Sequence, residues 1–211
     1  MTRARGETTW LVVEQLVWAG GVVCFATWVV FRISGAMEAR QELERFAALS
    51  TAARPPDPGL WSPGRAAVPQ TKPGEDARLP LGVLRIPRIG VTVPMLEGTD
   101  EWTLNRAVGH IEDTALPDTG GNIGIAGHRD GLFRPLKDIR VADVLELETL
   151  SGVATYRVET TGIVNPEDVW VLDPTPTETV TLVTCYPFFF VGAAPQRFIV
   201  QASRISSGDG R

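Results

Sequence analysis

The stretch "TLVTCYPF" (residues 181–188) places one of the chain's two cysteines at the end of a strand-like run. The β-branched residues before Cys185 favour a strand, and Pro187 cannot continue a strand ladder, so a loop begins directly after the cysteine. A free cysteine is commonly a small buried hydrophobe. The alternative is an exposed nucleophile, which needs a nearby base or positive charge to form the reactive thiolate.

The overall composition limits the class of protein to which this stretch can belong. The chain has 211 residues, 44% of them hydrophobic, which is enough for one domain with its own core. Its net charge of −5 argues against nucleic acid as a partner, because phosphates require a basic surface. Two cysteines and two histidines predict neither a disulfide framework nor a four-ligand zinc site.

The N-terminal part reads as a membrane anchor. After a short tail (residues 1–9), residues 10–31 form an apolar run that exceeds the roughly 20 residues needed to cross a bilayer. A cleaved signal peptide is the alternative, but no A-x-A-type cleavage motif follows and the run is longer than a usual signal core. We therefore expect a retained single-pass anchor in the cell membrane, with the larger domain outside the cytoplasm.

A spacer follows between residues 32 and 80. Residues 35–50 contain good helix formers and mixed charges, which predicts a stalk helix. Proline recurs from residue 54 to residue 80, which predicts a linker or an irregular arm. Leu60 and Trp61 are unusual in a pure linker and could dock onto the folded domain.

From residue 81 to residue 205 the pattern is that of strands separated by turns. "DVLELET" (143–149) alternates as a half-buried strand should, and Ser151-Gly152 predicts a hairpin before "VATYRVETTGIV" (153–164). Short helical pieces fit "EWTLNRAVG" (101–109) and "FRPLKDI" (133–139). The pattern predicts an all-β sandwich or closed barrel, followed by a polar tail over residues 206–211.

Two further stretches carry reactive side chains at predicted strand ends. "AGHRDGLF" (126–133) places His128 after a run with two glycines, and His110 in "AVGHIED" is the competing histidine. "APQRFIV" (194–200) places Arg197 at the start of a strand, where an ordinary solvated charge is the simpler interpretation. A guanidinium there could instead stabilise an oxyanion through its fixed fork of donors.

Taken together, these stretches resemble a known family. "TLVTCYPF", "GHRD" and "APQRFIV" look like the cysteine, histidine and arginine motifs of the bacterial sortases, in the same order along the chain. Within the family the motifs look most like class D, with class E the nearest competitor. The resemblance implies an eight-stranded closed β-barrel with short helices, preceded by one N-terminal transmembrane helix.

The resemblance also implies an activity. Sortases are cysteine transpeptidases that cleave a C-terminal LPxTG-like sorting signal after threonine and transfer the protein to an amine of a cell-wall precursor or of a pilin-like subunit. On this pattern Cys185 forms a thioacyl enzyme, His128 moves protons on and off the amines, and Arg197 stabilises the oxyanion. Thr184 matches the position that supports the oxyanion and the substrate backbone, whereas His110 lacks the catalytic context and is interpreted as structural.

Family features outside the three motifs leave alternatives open. Residues 165–178 match the loop that grips the sorting signal, and its hydrophobic members line a groove or pack as core: Val169, Trp170, Val171 and Leu172. We expect the loop after Cys185, with its three phenylalanines, to shape the amine side. Asp57, Leu60 and Trp61 could form a lid over the cysteine, but we favour a wall-spanning arm.

No cofactor or metal is expected. Some sortases bind calcium through acidic loop residues, and the acidic residues available here do not form a dense cluster: Asp113, Asp118, Glu167 and Asp168. Two other functions compete with the transpeptidase. A tethered binding module that has lost catalysis is disfavoured by the intact motifs, and a cysteine hydrolase would differ only in using water as the second nucleophile.

Overall fold

The computed structural model describes residues 4–53, 79–190 and 192–205, and within the first range it describes the side chains of residues 14–29 and 35–51. The chain forms two units, Met1–Glu38 and Ala39–Arg211. The proline-rich segment 54–78, with the candidate lid residues Asp57, Leu60 and Trp61, lies outside the described residues, as does the tail 206–211. The domain boundaries drawn from the sequence therefore stay predictions.

Helix α1 (Ala4–Ala53) includes the predicted anchor and the predicted stalk. No proline occurs before residue 55, so nothing interrupts the backbone hydrogen bonding of the helix. In the first unit most of the described large apolar side chains are exposed: Leu16, Val17, Trp18, Val22, Val23, Phe25, Trp28 and Met37. Over the described residues, no helix has the length and apolar character required to span a membrane.

The second unit contains eight strands that close into a barrel. Their order around the barrel is β1-β2-β3-β4-β7-β8-β6-β5, and β5 pairs with β1 to complete it. The strands are β1 (Gly82–Ile86), β2 (Val91–Glu97), β3 (Val108–His110), β4 (Asn122–Gly127), β5 (Val144–Thr149), β6 (Gly152–Val164), β7 (Thr179–Tyr186) and β8 (Gln196–Arg204). The predicted closed barrel is confirmed, and the sandwich alternative is excluded.

Most neighbouring strands run antiparallel, but β2–β3 and β4–β7 are parallel pairs. The β4–β7 pair matters most for function, because it places the C-terminal ends of both strands at the same edge of the sheet. β8 then pairs antiparallel with β7, so the start of β8 lies at that same edge. Three predicted site residues lie at this edge. His128 directly follows β4, Cys185 lies near the end of β7, and Arg197 lies near the start of β8.

Alternating side chains of the strands fill the barrel interior. Ile123 and Ile125 of β4, Val180 and Leu182 of β7, and Val200 of β8 all belong to one buried cluster. The alternation predicted for residues 143–149 is present in β5, where Leu145 and Leu147 are fully buried and Val144 is exposed. Because side chains point alternately to the two faces of a strand, this core assigns every other residue to the outer face.

One predicted element is wrong in part. The sequence predicted a helical piece over residues 101–109, but helix α2 (Glu101–Arg106) ends early and residues 108–110 form β3. The side chain of Asp100 caps the helix by accepting the Thr103 N–H at 3.1 Å. A Cβ on Gly109 would lie 2.2 Å from the Gly98 carbonyl oxygen, so the close approach that admits β3 requires glycine there. The helical piece predicted over residues 133–139 exists as a 3-10 turn, Arg134–Asp138.

Candidate active site

The ends of β4 and β7 bring two predicted catalytic residues side by side. Gly127 and Thr184 are partners in the parallel β4–β7 ladder, so the next residues, His128 and Cys185, follow from the same level of the sheet. Ile125 and Leu182 point into the core, and alternation then places His128 and Cys185 on the outer face of the barrel. Both residues are partly exposed. The β4–β7 pairing thus puts an imidazole and a thiol on the same surface at the same edge.

The third residue comes from the next strand. Cys185 lies directly opposite Arg197 in the antiparallel β7–β8 ladder. Val200 and Phe198 contact the core, so Arg197 also projects from the outer face. Its Nη1 donates to the carbonyl of Gln196 at 3.1 Å and more weakly to that of Ala194 at 3.4 Å. The structure therefore gathers all three predicted catalytic side chains on adjacent strands.

Thr184 is placed differently from its neighbour Cys185. Its side chain is buried and lies on the inner face, where its hydroxyl donates to the Gly127 carbonyl at 2.7 Å. This bond joins β7 to β4 immediately before the cysteine and the histidine. A contact between Thr184 and a substrate would therefore use the backbone, and its assignment as a substrate-supporting residue stays a prediction.

The turn after His128 is held by its own backbone. The His128 carbonyl accepts the N–H groups of Gly131 and Phe133, both at 3.2 Å. Phe133 is fully buried, and a Cβ on Gly127 would lie 2.6 to 3.0 Å from atoms of its ring. Glycine at position 127 thus allows the Phe133 ring to pack under the turn, which fixes the point from which His128 projects.

His110 is held in a different environment. It is buried on β3, its Nδ1 faces both oxygens of Glu97 at 3.0 and 3.1 Å, and its Nε2 faces the Ala115 carbonyl at 3.0 Å. Thr114 Oγ1 lies 3.1 Å from Nε2 and gives its own proton to the Ile111 carbonyl at 2.6 Å. With both ring nitrogens engaged, His110 joins strands and loops, as the sequence predicted.

The loop between β6 and β7 covers the outer face at the other end of β4 and β7. Asn122 is buried and donates to the carbonyls of Val171 at 3.0 Å and Asp173 at 3.1 Å, while accepting the Thr181 hydroxyl at 2.7 Å. Gln201 on β8 also donates to the Val171 carbonyl at 3.3 Å. No local pattern in the sequence indicates that Asn122 holds this loop, because its loop partners lie about fifty residues away along the chain.

The four hydrophobic residues of that loop divide between core and surface. Val171 is buried, and a Cβ on Gly124 would lie 3.1 Å from Leu172 Cδ2, so Leu172 lies over β4. Val169 and Trp170 are both more than 60% exposed. Between this loop and Cys185 lies an apolar strip of three neighbouring strands on the outer face, in which Ala126 and Val183 are partly exposed and Ile199 is buried.

The phenylalanines after Cys185 also divide. Phe188 packs against Tyr186 and Phe198 with ring centroids 6.0 and 5.3 Å apart, while Phe189 and Phe190 are exposed. Arg129, next to His128, donates to the carbonyls of Phe190 and Gly192. Sequence reasoning did not single out Arg129, although its position directly after the histidine was a signal that could have done so.

Two of the four acidic residues considered for calcium have other partners. Asp118 accepts from Arg204 and Thr149, and Asp168 accepts the Asn165 N–H at 2.8 Å. Within the described residues, no group of three potential ligands lies close enough to hold a metal ion. The site offers a thiol, an imidazole and a guanidinium, which suit acyl transfer through a covalent intermediate.

Comparison with known proteins gives consistent results. The Sortase domain family matches residues 84–205. The chain is 39% identical to Sortase D of Bacillus subtilis over 126 residues, which cover 59% of this chain and 64% of that protein. Across the curated relatives that it matches, the aligned part covers 49% to 64% of their length. The resemblance to class D that the motifs predicted is thereby confirmed.

Solved structures show the same fold. A Sortase D5 transpeptidase from Clostridium perfringens superimposes with a TM-score of 0.56 at 31% identity, covering 61% of this chain and 80% of that one. Sortase C from Clostridium perfringens, solved with the C-terminal cell wall sorting motif, gives a TM-score of 0.55 at 30% identity. That match covers 60% of this chain and 71% of the other.

Proposed function

Because the chain belongs to the sortase family, we propose that it is a membrane-anchored cysteine transpeptidase that cleaves an LPxTG-like sorting signal and transfers the protein to an amine. The observation that carries this proposal is the placement of His128, Cys185 and Arg197 at the ends of three neighbouring strands on one outer face.

The first half of the reaction follows from this arrangement. The Cys185 thiolate attacks the threonine carbonyl, the carbon–nitrogen bond breaks, and His128 gives a proton to the departing amine. Arg197, opposite Cys185, donates hydrogen bonds to the oxygen that becomes negative in the tetrahedral intermediate. The product is a thioacyl enzyme, with the acyl group held on Cys185 until an acceptor arrives.

The apolar strip along which we place the sorting signal is formed by the partly exposed Ala126 and Val183, with the buried Ile199 beside them. It leads from Cys185 toward the β6–β7 loop, where the exposed Val169 and Trp170 offer apolar contacts. The structure of Clostridium perfringens sortase C with the cell wall sorting motif supports a peptide of this kind as the substrate. We assign the acceptor to the cell envelope, as a cell-wall precursor or a pilin-like subunit.

We propose that residues 10–31 anchor the chain in the cell membrane, with the barrel on the extracytoplasmic side. The support is the apolar sequence of this segment and its exposed apolar side chains in the described part of α1. Fractionation of cells that express the full chain tests the anchor. Recovery of the chain in the soluble fraction without detergent would contradict it, and protease access to the barrel in intact spheroplasts tests the orientation.

One experiment tests the transpeptidase. The full chain in mild detergent is incubated with a library of Leu-x-x-Thr-x peptides and an amine acceptor, and products and protein adducts are identified by mass spectrometry. We expect a thioacyl adduct on Cys185 and amine-ligated product, and neither with Cys185→Ala. Hydrolysed product alone would favour the cysteine hydrolase, and a folded chain without any adduct would favour the binding module.

A further inference from the structure

In the loop that joins β7 to β8 the structure describes residues 187–190 and 192–195, and this described part is attached to the segment directly after His128. Arg129 Nη2 donates to the carbonyl oxygens of Phe190 and Gly192, each at 2.9 Å. The Arg129 guanidinium carbon also lies 5.8 Å from the centroid of the Phe190 ring. One arginine thus holds both the main chain and an aromatic side chain of the loop.

A second arginine contacts the neighbouring ring. The guanidinium carbon of Arg134 lies 4.9 Å from the centroid of the Phe189 ring, and Phe189 is 73% exposed. Large exposed rings are unusual, and a guanidinium stacked on each ring gives them a partner at the surface. We call the set Arg129, Arg134, Phe189 and Phe190 the arginine clasp. It connects the histidine segment to the loop that follows the cysteine.

The far end of the same loop supports the third catalytic residue. Arg197 Nη1 donates to the carbonyls of Ala194 and Gln196, so the end of the loop holds the guanidinium that faces Cys185. Two sets of contacts therefore hold the loop: Arg129, beside His128, binds Phe190 and Gly192, and Arg197 binds Ala194. The loop also borders Cys185, because residues 187–195 begin two positions after it.

We propose that Arg129 is a positioning residue that keeps this loop closed beside Cys185 and thereby favours the amine over water as the second nucleophile. The inference rests on the proposed transpeptidase function. In the second half of the reaction, the amine nitrogen or a water oxygen attacks the carbonyl of the thioacyl enzyme. The carbon–sulfur bond breaks, the sulfur leaves as a thiolate, and the nucleophile's proton passes to His128. An open loop admits water to the thioester and breaks the hydrogen bond between Arg197 and the Ala194 carbonyl. A closed loop excludes water and leaves access only to the bound amine acceptor.

The test compares the full wild-type chain with Arg129→Ala and Arg129→Met, the second of which retains much of the side-chain volume should the alanine variant fold poorly. Arg134→Ala removes the weaker half of the clasp. The matched control is Arg106→Ala, which removes an arginine whose guanidinium carbon lies 4.5 Å from the centroid of the Trp102 ring on α2. Each chain is measured for hydrogen–deuterium exchange over residues 186–197. Each is also measured for the ratio of hydrolysed to ligated product and for the KM of peptide and amine.

We expect both Arg129 variants to exchange faster over the loop and to raise the hydrolysed-to-ligated ratio by about threefold to tenfold, as loss of partly exposed charged hydrogen bonds predicts. The KM for the amine should rise while the KM for the peptide changes little. Arg134→Ala should give a smaller shift in the same direction, and Arg106→Ala should match the wild type. A merely structural role would lower both products together and leave their ratio unchanged.

Two results overturn the inference. Unchanged exchange over the loop in both Arg129 variants means that the clasp does not hold it, and faster exchange with an unchanged product ratio means that the loop does not select the nucleophile. These are distinct from failure of the proposed function, which appears as a wild-type chain without any thioacyl adduct on Cys185. Without a thioacyl adduct there would be no ratio of hydrolysed to ligated product to compare. The hydrogen–deuterium exchange measurement would still show whether the arginine clasp holds the loop.

Discussion

The hydroxyl of Thr184 donates to the carbonyl of Gly127 at 2.7 Å, across the parallel pair β4–β7 and one residue before both Cys185 and His128. The bond lies on the inner face, whereas the thiol and the imidazole project from the outer face. One buried side-chain bond therefore holds together the two strand ends from which nucleophile and base project. The catalytic pair depends on this contact although neither member makes it.

Removal of this bond should weaken both the fold and catalysis. Thr184→Val has nearly the same volume but leaves the Gly127 carbonyl without its partner, which we expect to lower the free energy of unfolding by about 1–3 kcal/mol. Turnover should fall as well, because the two strand ends are then joined by the backbone ladder alone. Thermal unfolding and peptide cleavage check these outcomes. Thr184→Ser keeps the hydroxyl and should stay closer to the wild type, and a stable but inactive Thr184→Val would instead indicate a direct role in substrate binding.

Gly127→Ala should disturb the turn that carries His128. The added Cβ would lie 2.6 to 3.0 Å from atoms of the buried Phe133 ring, and overpacking of this kind costs about 1–3 kcal/mol. We expect a lower melting temperature together with reduced turnover, measured on the same preparation. Gly162→Ala is the matched control, because a Cβ on Gly162 in β6 meets no atom within 4 Å. Equal effects of the two substitutions would argue against this role of Gly127.

The two histidines should respond in opposite ways to replacement by alanine. His128 is partly exposed, so His128→Ala should leave the melting temperature nearly unchanged and lower turnover by about 10²–10⁴. His110 is buried with both ring nitrogens engaged, so His110→Ala should lower the free energy of unfolding by about 1–3 kcal/mol. At a temperature where it remains folded, that variant should cleave peptide at a rate near that of the wild type. Loss of turnover in a folded His110→Ala would overturn the structural assignment.

Local patterns in the sequence were sufficient to predict much of the barrel. The alternation over residues 143–149 and the break at Pro187 are properties of neighbouring residues, so they can be recognised from the sequence alone. Strand β3 was missed because Val108 and Gly109 continue a helix-like run, and only the approach of Gly98 shows why they leave it. A three-residue strand held by partners on both sides carries too little local signal to be recognised.

The candidate site divides along the same line. Cys185, His128 and Arg197 were identified because their motifs resemble those of a known family, whereas the contacts that hold them came only from the structure. Thr184 and Gly127 are 57 residues apart, and Arg129 and Phe190 are 61 residues apart. No periodicity or spacing reports such pairs, since they form only once β4 and β7 lie side by side.

The acid stability of the barrel should depend on an ion pair away from the site. Asp143, before β5, is buried and accepts from the Arg88 guanidinium and from the Arg140 N–H, and the hydrogen bond from Arg88 is the main reason that the pKa of Asp143 is lowered. A carboxyl with a lowered pKa in the folded state stabilises the fold above its unfolded value of about 3.9. That stabilisation is lost as the pH falls through the lower folded value.

Asp143→Asn should therefore flatten the acid limb of the stability curve. The variant should be less stable than the wild type at neutral pH. The difference should begin to shrink below about pH 4, where the carboxyl of the unfolded chain takes up a proton, and should be lost once the pH falls below the lowered pKa of the folded Asp143. Melting temperatures measured from pH 7 to pH 2 check this. Asp113→Asn removes an exposed carboxylate and serves as the control. If the difference in melting temperature between Asp143→Asn and the wild type stays constant down to pH 2, the amide destabilises the fold for steric reasons. The ion pair with Arg88 would then not govern acid stability.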